Sequence, residues 1–381
     1  MGEKVKMKIA FLIDSLGCGG AERVACELIN ELVKTHDCTL IAVRKIKEIS
    51  FFIDKRVKVI SLDITPSSSI FRHYQWLVMM QKLIKLLREN NFSSVVSFLL
   101  CSHWLNVASK PFAPHKAVIS VHSNMSEISN IEKTTTRSKI ITKFIFSKAD
   151  EIFAVSKAAT LDLRENFGLK KAFCIYNPVD IAKITELKNA DIEIKKDGFT
   201  FVSVGRLTKV KNHKILLKAM SKIDANLWII GGGELENELT NFIKEQKLEN
   251  KVKMLGQKEN PFAYMAKADA LVLSSLSECL PCVLIEALAC GLVVISTDSK
   301  SGPREIISPN SDINKFLKGG IEIGEYGILC PNDNADLLAK AMSEMMENSA
   351  LREEFKAKAK KRAKDFDKEL IISEYEKILK S

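Results

Sequence analysis

The chain lacks any run of about 18–20 apolar residues, the length that a membrane-spanning helix requires. Its first residues, Met1-Gly2-Glu3-Lys4-Val5-Lys6, lead straight into an apolar strand and do not form a secretory signal. A helical membrane protein is therefore not expected, and the chain is expected to stay in the cytoplasm. Nor does the sequence carry a disulfide framework: its nine cysteines, at 18, 26, 38, 101, 174, 279, 282, 290 and 330, are scattered as reduced thiols would be. Cys279-Leu280-Pro281-Cys282 has the C-x2-C spacing of a redox pair or half a zinc site, but no second ligand pair of matching spacing follows. A dinucleotide fingerprint is missing too. Gly17, Gly19 and Gly20 follow the first strand, yet Val24 stands where a further glycine is needed, and no acidic residue suitably ends the second strand.

Charge is plentiful but uneven. The net charge is +10 over 381 residues, with 27% charged and 46% apolar residues, a soluble globular composition long enough for two domains. Residues 1–180 hold 26 Lys+Arg against 17 Asp+Glu, while the remainder holds 31 against 30. The excess of +9 in the first half suits an anionic membrane surface, a phosphate-bearing substrate or nucleic acid; solvated lysines on helix faces are the plainer alternative.

Apolar strand-like runs alternate with helical patterns. Strands are expected at 8–13, 39–43, 57–60, 94–98, 116–121 and 151–155, with helices near 21–34, 72–89, 104–108 and 134–148. The pattern restarts with strands at 200–204, 227–230, 252–255, 270–273 and 293–296, and a Lys/Glu-rich helix is expected over about 350–380. Such alternation predicts α/β architecture with parallel, doubly wound sheets. Asn177-Pro178-Val179-Asp180 is the preferred boundary, and the polar stretch 189–198 is the other candidate.

The most informative segment is Ser277-Glu278-Cys279-Leu280-Pro281-Cys282-Val283-Leu284-Ile285-Glu286-Ala287-Leu288-Ala289-Cys290-Gly291. A buried strand precedes it and a helix begins near Pro281, so backbone N–H groups and the positive end of the helix dipole suit a phosphate there. Glu278 in the loop and Glu286 two turns into the helix flank that position. Two carboxylates so placed can accept hydroxyl hydrogen bonds from two parts of one ligand, as a sugar and a ribose joined by a diphosphate would offer. Upstream, Val204-Gly205-Arg206-Leu207-Thr208-Lys209-Val210-Lys211-Asn212-His213 carries two cations five residues apart. Arg206 as a planar fork and Lys211 as a point charge can converge on one diphosphate and stabilise its growing charge.

The paired glutamates resemble the E-x7-E motif of retaining glycosyltransferases of family 4, although Cys279 and Leu280 replace a usual Gly-Phe and Val293 a common Pro. Gly-Gly-Ala-Glu-Arg at 19–23 and Gly-Arg-Leu-x-x-x-Lys-Asn at 205–212 are similar to the same family, and the resemblance extends over nearly the whole chain. It implies a GT-B fold: two Rossmann-like doubly wound parallel-sheet domains facing across a cleft. They would be an acceptor domain, 1–180, with a C-terminal crossover helix at about 360–381, and a nucleotide-sugar domain, 181–359. It further implies that Arg206 and Lys211 act on the leaving diphosphate, that Glu278 belongs with them to the catalytic set, and that His122, after the strand at 116–121, approaches the reacting sugar. Gly19, Gly20, Asn177, Pro281, Cys282, Val283 and Glu286 complete the implied substrate contacts. Glu305, in Ser301-Gly302-Pro303-Arg304-Glu305-Ile306, reads as a helix-start acid. Asp365-Phe366-Asp367 spells the D-x-D metal signature of the other large glycosyltransferase fold. It lies in the Lys-rich terminal helix, so no metal ligands and no cofactor are expected.

Bacterial relatives that extend polyprenyl-diphosphate-linked oligosaccharides resemble this chain most. The implied partners are a UDP-sugar donor (N-acetylhexosamine or hexose), a lipid-linked glycan acceptor of O-antigen, capsule or glycoprotein assembly, and the anionic inner-membrane surface, with no nucleic acid. A GDP-sugar, another acceptor, a non-catalytic sugar-nucleotide binder and a Rossmann oxidoreductase are the alternatives. Membrane contact would fall on 71–88 and 134–148, where Trp76, Leu77, Met79, Met80 and Leu83, and Ile140, Ile141, Phe144, Ile145 and Phe146, are edged by Arg72, Lys82, Lys85, Arg88, Arg137, Lys139, Lys143 and Lys148.

Overall fold

The computed structural model describes residues 6–17, 19–46, 49–64, 72–127 and 136–380. Cys18, Phe71 and Thr134, with the side chains of Arg72 and Arg137, lie outside the described residues. The chain divides into two compact units, one of residues 1–155, 159–178 and 369–381, the other of 156–158 and 179–368.

The first unit is built from β1 (Lys8–Ile13), α1 (Gly20–Leu32), β2 (Asp37–Arg44), β3 (Lys58–Ile64), α2 (Arg72–Asn90), β4 (Ser94–Phe98), α3 (Leu100–Ser109), β5 (Lys116–Val121), α4 (Thr136–Phe146), β6 (Glu151–Ala154), α5 (Lys157–Glu165, the unit's share from Ala159) and β7 (Phe173–Cys174). Its strands are ordered β3-β2-β1-β4-β5-β6-β7 and every pairing is parallel. Helices cover both faces, so β4 is buried along its whole length, Ser94 and Ser97 included. In α1, the apolar residues 21, 24, 25, 28, 29 and 32 recur at helical spacing and are buried.

The second unit runs α6 (Ile181–Leu187), β8 (Thr200–Val204), a 3₁₀ turn (Lys209–Lys211), α7 (His213–Met220), β9 (Asn226–Ile230), α8 (Glu236–Glu245), β10 (Val252–Met254), α9 (Pro261–Lys267), β11 (Ala270–Leu273), α10 (Cys282–Cys290), β12 (Val293–Thr297), α11 (Pro303–Ile307), β13 (Glu322–Ile323), β14 (Gly327–Cys330), α12 (Ala335–Glu347) and α13 (Ser349–Lys364). The order is β10-β9-β8-β11-β12-β14-β13. The sheet is parallel, as expected, except at one edge, where the two-residue strand β13 runs antiparallel to β14. Strands as short as β7 and β13 carry too little periodicity to be seen in sequence.

The terminal helix needs correction. The expected single helix over 350–380 is two, α13 and α14 (Lys368–Lys380), broken at Asp365-Phe366-Asp367. Phe366 is fully buried there and its carbonyl accepts from Val179 N–H at 3.0 Å, which fixes the break. Asp365-Phe366-Asp367 is thus a turn between helices. Residues 360–368 group with the second unit, while α14 from Glu369 belongs to the first, where Ile371, Tyr375 and Leu379 enter the core with Phe11, Phe98 and Phe153.

Candidate active site

The cationic loop of the second unit is laced between two neighbouring strand ends, those of β8 and β9. Gly205 N–H donates to the Ile230 carbonyl (3.0 Å), Leu207 N–H to Gly232 (3.0 Å) and Leu235 N–H back to Leu207 (3.0 Å). This lacing lets the chain after β9 lie directly on the chain after β8. A Cβ on Gly231, whose φ is +144°, would collide with the Gly205 carbonyl oxygen, and one on Gly233 would stand 2.5 Å from the Leu207 oxygen. Gly231-Gly232-Gly233 is not among the residues expected from sequence. The available signal was three glycines directly after an apolar strand.

Beyond Leu207 the 3₁₀ turn is tied to the loop after β11: Leu276 N–H donates to Val210 (2.8 Å) and Ser274 Oγ to the Lys211 carbonyl (2.9 Å). Asn212, in the left-handed region at φ 48°, redirects the chain into α7. The result is that Lys211 Nζ meets Glu278 Oε1 at 2.5 Å, with the two side chains 22% and 10% exposed. Arg206 extends to solvent from the same loop. Just behind, His213 is buried, and desolvation, aided by the Lys211 charge, holds its pKa at about 4, so it is neutral at pH 7.

Four residues past Glu278, α10 starts at Cys282 with no side-chain cap on Pro281. Gly302 packs beneath this turn at φ +82°, where a Cβ would come within 2.6 Å of both the Cys279 carbonyl and Pro281 Cδ. Glu286 lies just over one turn along α10, closer to its start than the two turns expected, and is only 3% exposed. The structure therefore brings Arg206, Lys211, Glu278, Pro281, Cys282, Val283 and Glu286 into one unit, on the ends of β8 and β11 and the start of α10. The C-x2-C pair is embedded there as free thiols: Cys279 is buried with Sγ 3.8 Å from Ser156 Oγ, and Cys282 Sγ lies 3.8 Å from the Leu280 carbonyl. Among the described residues no cluster suited to a metal ion occurs.

The first unit holds the other predicted residues. His122 follows β5; its Nε2 lies 2.8 Å from Ser120 Oγ and its ring 5.3 Å from that of Phe98. Desolvation pushes its pKa down to about 3, so the imidazole is neutral at working pH. Gly19 and Gly20 open α1, and the Glu22 carboxylate folds over this helix start, occupying the space that a Gly19 side chain would need. Asn177 is buried, and the Asp180 side chain caps α6 through Lys183 N–H at 2.9 Å while pairing with Lys368 at 2.7 Å. Asn-Pro-Val-Asp thus ends in a helix cap.

Glu305 stands in the first turn of α11, where the helix-start reading puts it. Its carboxylate accepts from the Lys157 and Ala158 backbone N–H groups at 2.7 and 2.9 Å, bonds made outside its own helix. Its neighbour Arg304 is equally structural, buried and paired with Asp298 (2.6 Å) and Glu322 (2.8 Å).

Two family models cover the chain almost end to end: Glycosyltransferase Family 4 over residues 18–183 and Glycosyl transferases group 1 over 185–362. An N-acetylgalactosaminyltransferase of Campylobacter jejuni, named for the acceptor N-acetylgalactosamine-N,N'-diacetylbacillosaminyl-diphospho-undecaprenol, is 32% identical over 95% of this chain and 96% of its own. A second Campylobacter jejuni enzyme, an alpha-1,4-N-acetyl-D-galactosaminyltransferase, is 29% identical over 98% of both chains. Among solved structures, sucrose-phosphate synthase of Thermosynechococcus elongatus superposes with a TM-score of 0.81 at 18% identity over 98% of each chain. The Anabaena protein HepE, solved with UDP, gives 0.75 at 19% identity over 98% of this chain and 100% of its own. The fold is that of the GT-B glycosyltransferases, with two Rossmann-like parallel-sheet domains. The chain belongs to the family 4 glycosyltransferases and is a glycosyltransferase.

Proposed function

We propose that this enzyme transfers a sugar, N-acetylgalactosamine or a related hexose, from a UDP-sugar to a polyprenyl-diphosphate-linked glycan with retention of anomeric configuration. The observation that carries the reading is the grouping of Arg206 and the Lys211–Glu278 pair beside the open start of α10. The bond from sugar to diphosphate breaks with charge accumulating on the diphosphate; two cations and a helix dipole oppose that charge where other enzymes use a divalent ion. Glu278 and Glu286 accept hydroxyl hydrogen bonds from the donor, and His122 touches the reacting sugar. The two Campylobacter relatives, named as N-acetylgalactosaminyltransferases acting on lipid-linked glycans, support the acceptor and the sugar, and HepE, solved with UDP, supports the uridine nucleotide.

A donor screen tests this directly. With an undecaprenyl-diphosphate-linked N-acetylgalactosaminide present, UDP release from UDP-N-acetylgalactosamine is expected, in EDTA as well as without it. GDP release from GDP-mannose in its place would overturn the donor assignment. Collapse in EDTA with recovery on Mg²⁺ or Mn²⁺ would overturn the metal-free account.

Work on a lipid-linked acceptor calls for a surface that meets the bilayer, and we place it on the first unit. Buried Met80, Leu83, Leu87 and Phe146 show that α2 and α4 do pack on their sheet. Their other faces leave Leu77 59%, Ile140 63% and Phe144 64% exposed, and Lys148 reaches over the Phe144 ring. Apolar side chains edged by lysines are what interfacial helices require. The chain is expected to float with anionic liposomes and to detach as salt rises, because such attraction is screened within about 8–10 Å. Equal flotation with neutral vesicles would remove the proposed attachment to the cytoplasmic face of the inner membrane.

A further inference from the structure

His122 has a supporting arrangement that no motif marks. Its Nε2 lies 2.8 Å from the hydroxyl of Ser120, which is fully buried on β5. On the far side of Ser120 stands the phenol of Tyr375, 3.5 Å from the same oxygen and 1% exposed. Tyr375 arrives on α14, the segment that returns to this unit from the chain's end, and is held edge-on against Phe153 with ring centroids 5.0 Å apart.

Hydrogen-bond accounting decides the direction of this chain. The phenol and the serine each carry one proton, and a neutral imidazole carries one on either nitrogen. If the Tyr375 hydroxyl donates to Ser120 Oγ, the serine proton is free to donate to His122 Nε2, and both buried protons find acceptors. If Nε2–H donated to Ser120 instead, the serine proton would have to point at Tyr375. The phenol proton would then lose Ser120 Oγ, its one recorded partner among the described residues. Leaving a fully buried hydroxyl proton unsatisfied is costly, so the first direction prevails. The ring proton then resides on Nδ1.

We propose that the Tyr375–Ser120 pair holds His122 as its Nδ1–H tautomer, so that the imidazole meets the reacting sugar as a hydrogen-bond donor. The proposal rests on the reading of His122 given above. Ser120 and Tyr375 touch no substrate; they are positioning residues, and through them the C-terminal helix becomes part of the working site. Burial keeps the ring uncharged, and His103 on α3, the titratable neighbour that senses its charge, is likewise held neutral with a pKa of about 3. The second proton needed for a cation is therefore absent, and the tautomer alone determines what the ring offers.

The test is ¹⁵N correlation spectroscopy of the full chain labelled at histidine, with the His122 signals assigned by their loss in His122→Gln. The wild type is expected to show one protonated nitrogen at Nδ1 and an acceptor Nε2. Ser120→Ala and Tyr375→Phe are expected to admit the Nε2–H form and to lower kcat for UDP release from UDP-N-acetylgalactosamine by about tenfold, with KM for the donor unchanged. Ser120→Thr, which keeps the hydroxyl, should restore both. Tyr375→Phe keeps the ring that fills the core and so remains informative should Ser120→Ala unfold. An Nε2–H wild type, or variants with unaltered tautomer, would overturn the proposal. Wild-type turnover in folded His122→Gln would instead overturn the role of His122 in the reaction, while the spectra still judge the relay.

Discussion

Arg206→Ala is expected to lower kcat/KM by about 30- to 900-fold, the equivalent of roughly 2–4 kcal/mol of transition-state stabilisation. The side chain extends to solvent from the loop after β8, so its removal leaves no buried partner behind and the thermal unfolding midpoint should stay at the wild-type value. The separation of the two readouts matters, since a structural arginine would move both. Arg206→Lys keeps the charge but not the planar fork, and should recover only part of the loss. Turnover within about threefold of wild type in the folded alanine variant would remove Arg206 from the donor site.

Glu278→Ala should act on activity and stability together. Lys211 Nζ lies 2.5 Å from Glu278 Oε1, with both side chains largely shielded. Truncating the glutamate leaves a partly buried ammonium without its counter-charge, at a cost of about 1–3 kcal/mol of folding free energy for such a half-shielded pair. It also removes a hydroxyl acceptor from the donor site, so kcat/KM is expected to fall by about 100-fold or more. Glu278→Gln separates the contributions: the amide can still accept from a hydroxyl and fills the same space, yet it cannot neutralise Lys211. Steady-state kinetics with urea unfolding of the three proteins checks this. A Glu278→Ala protein equal to wild type in both would show that the pair serves neither purpose.

Both predictions begin from residues that could be named before any coordinates, and local chemistry explains why. A buried parallel strand announces itself as a short unbroken apolar run, as in Ala270 through Leu273 or Val293 through Ile295. The turn that follows announces itself by glycine, cation or carboxylate. Arg206, Glu278 and Lys211 follow strand ends by two, five and seven residues, and Glu286 lies on the helix that the turn after Leu273 opens. Less legible were elements too short to show a period, such as β13, and the break of the terminal helix, where favourable Lys/Glu composition continues through Asp365-Phe366-Asp367. Burial of Phe366 and the bond from Val179 override that propensity, and neither is visible in a window of nearby residues. The partners of Glu305 are equally invisible locally: at 157 and 158 they lie far along the chain.

The sequence by itself determined the alternation of strands and helices, the family resemblance and the identity of the charged residues. These follow from side-chain period, turn chemistry and spacing within one segment. Only the tertiary structure decided which distant groups meet: Lys211 with Glu278 across 67 residues, Gly231 against Gly205, and Tyr375 with Ser120 across 255. In a parallel sheet neighbouring strands are far apart in the chain, and their register sets those encounters. The state of His122 belongs to the same class. A histidine in a sequence can carry its proton on either nitrogen or on both; burial and one serine hydroxyl, placed by β5 and the returning helix, make that choice.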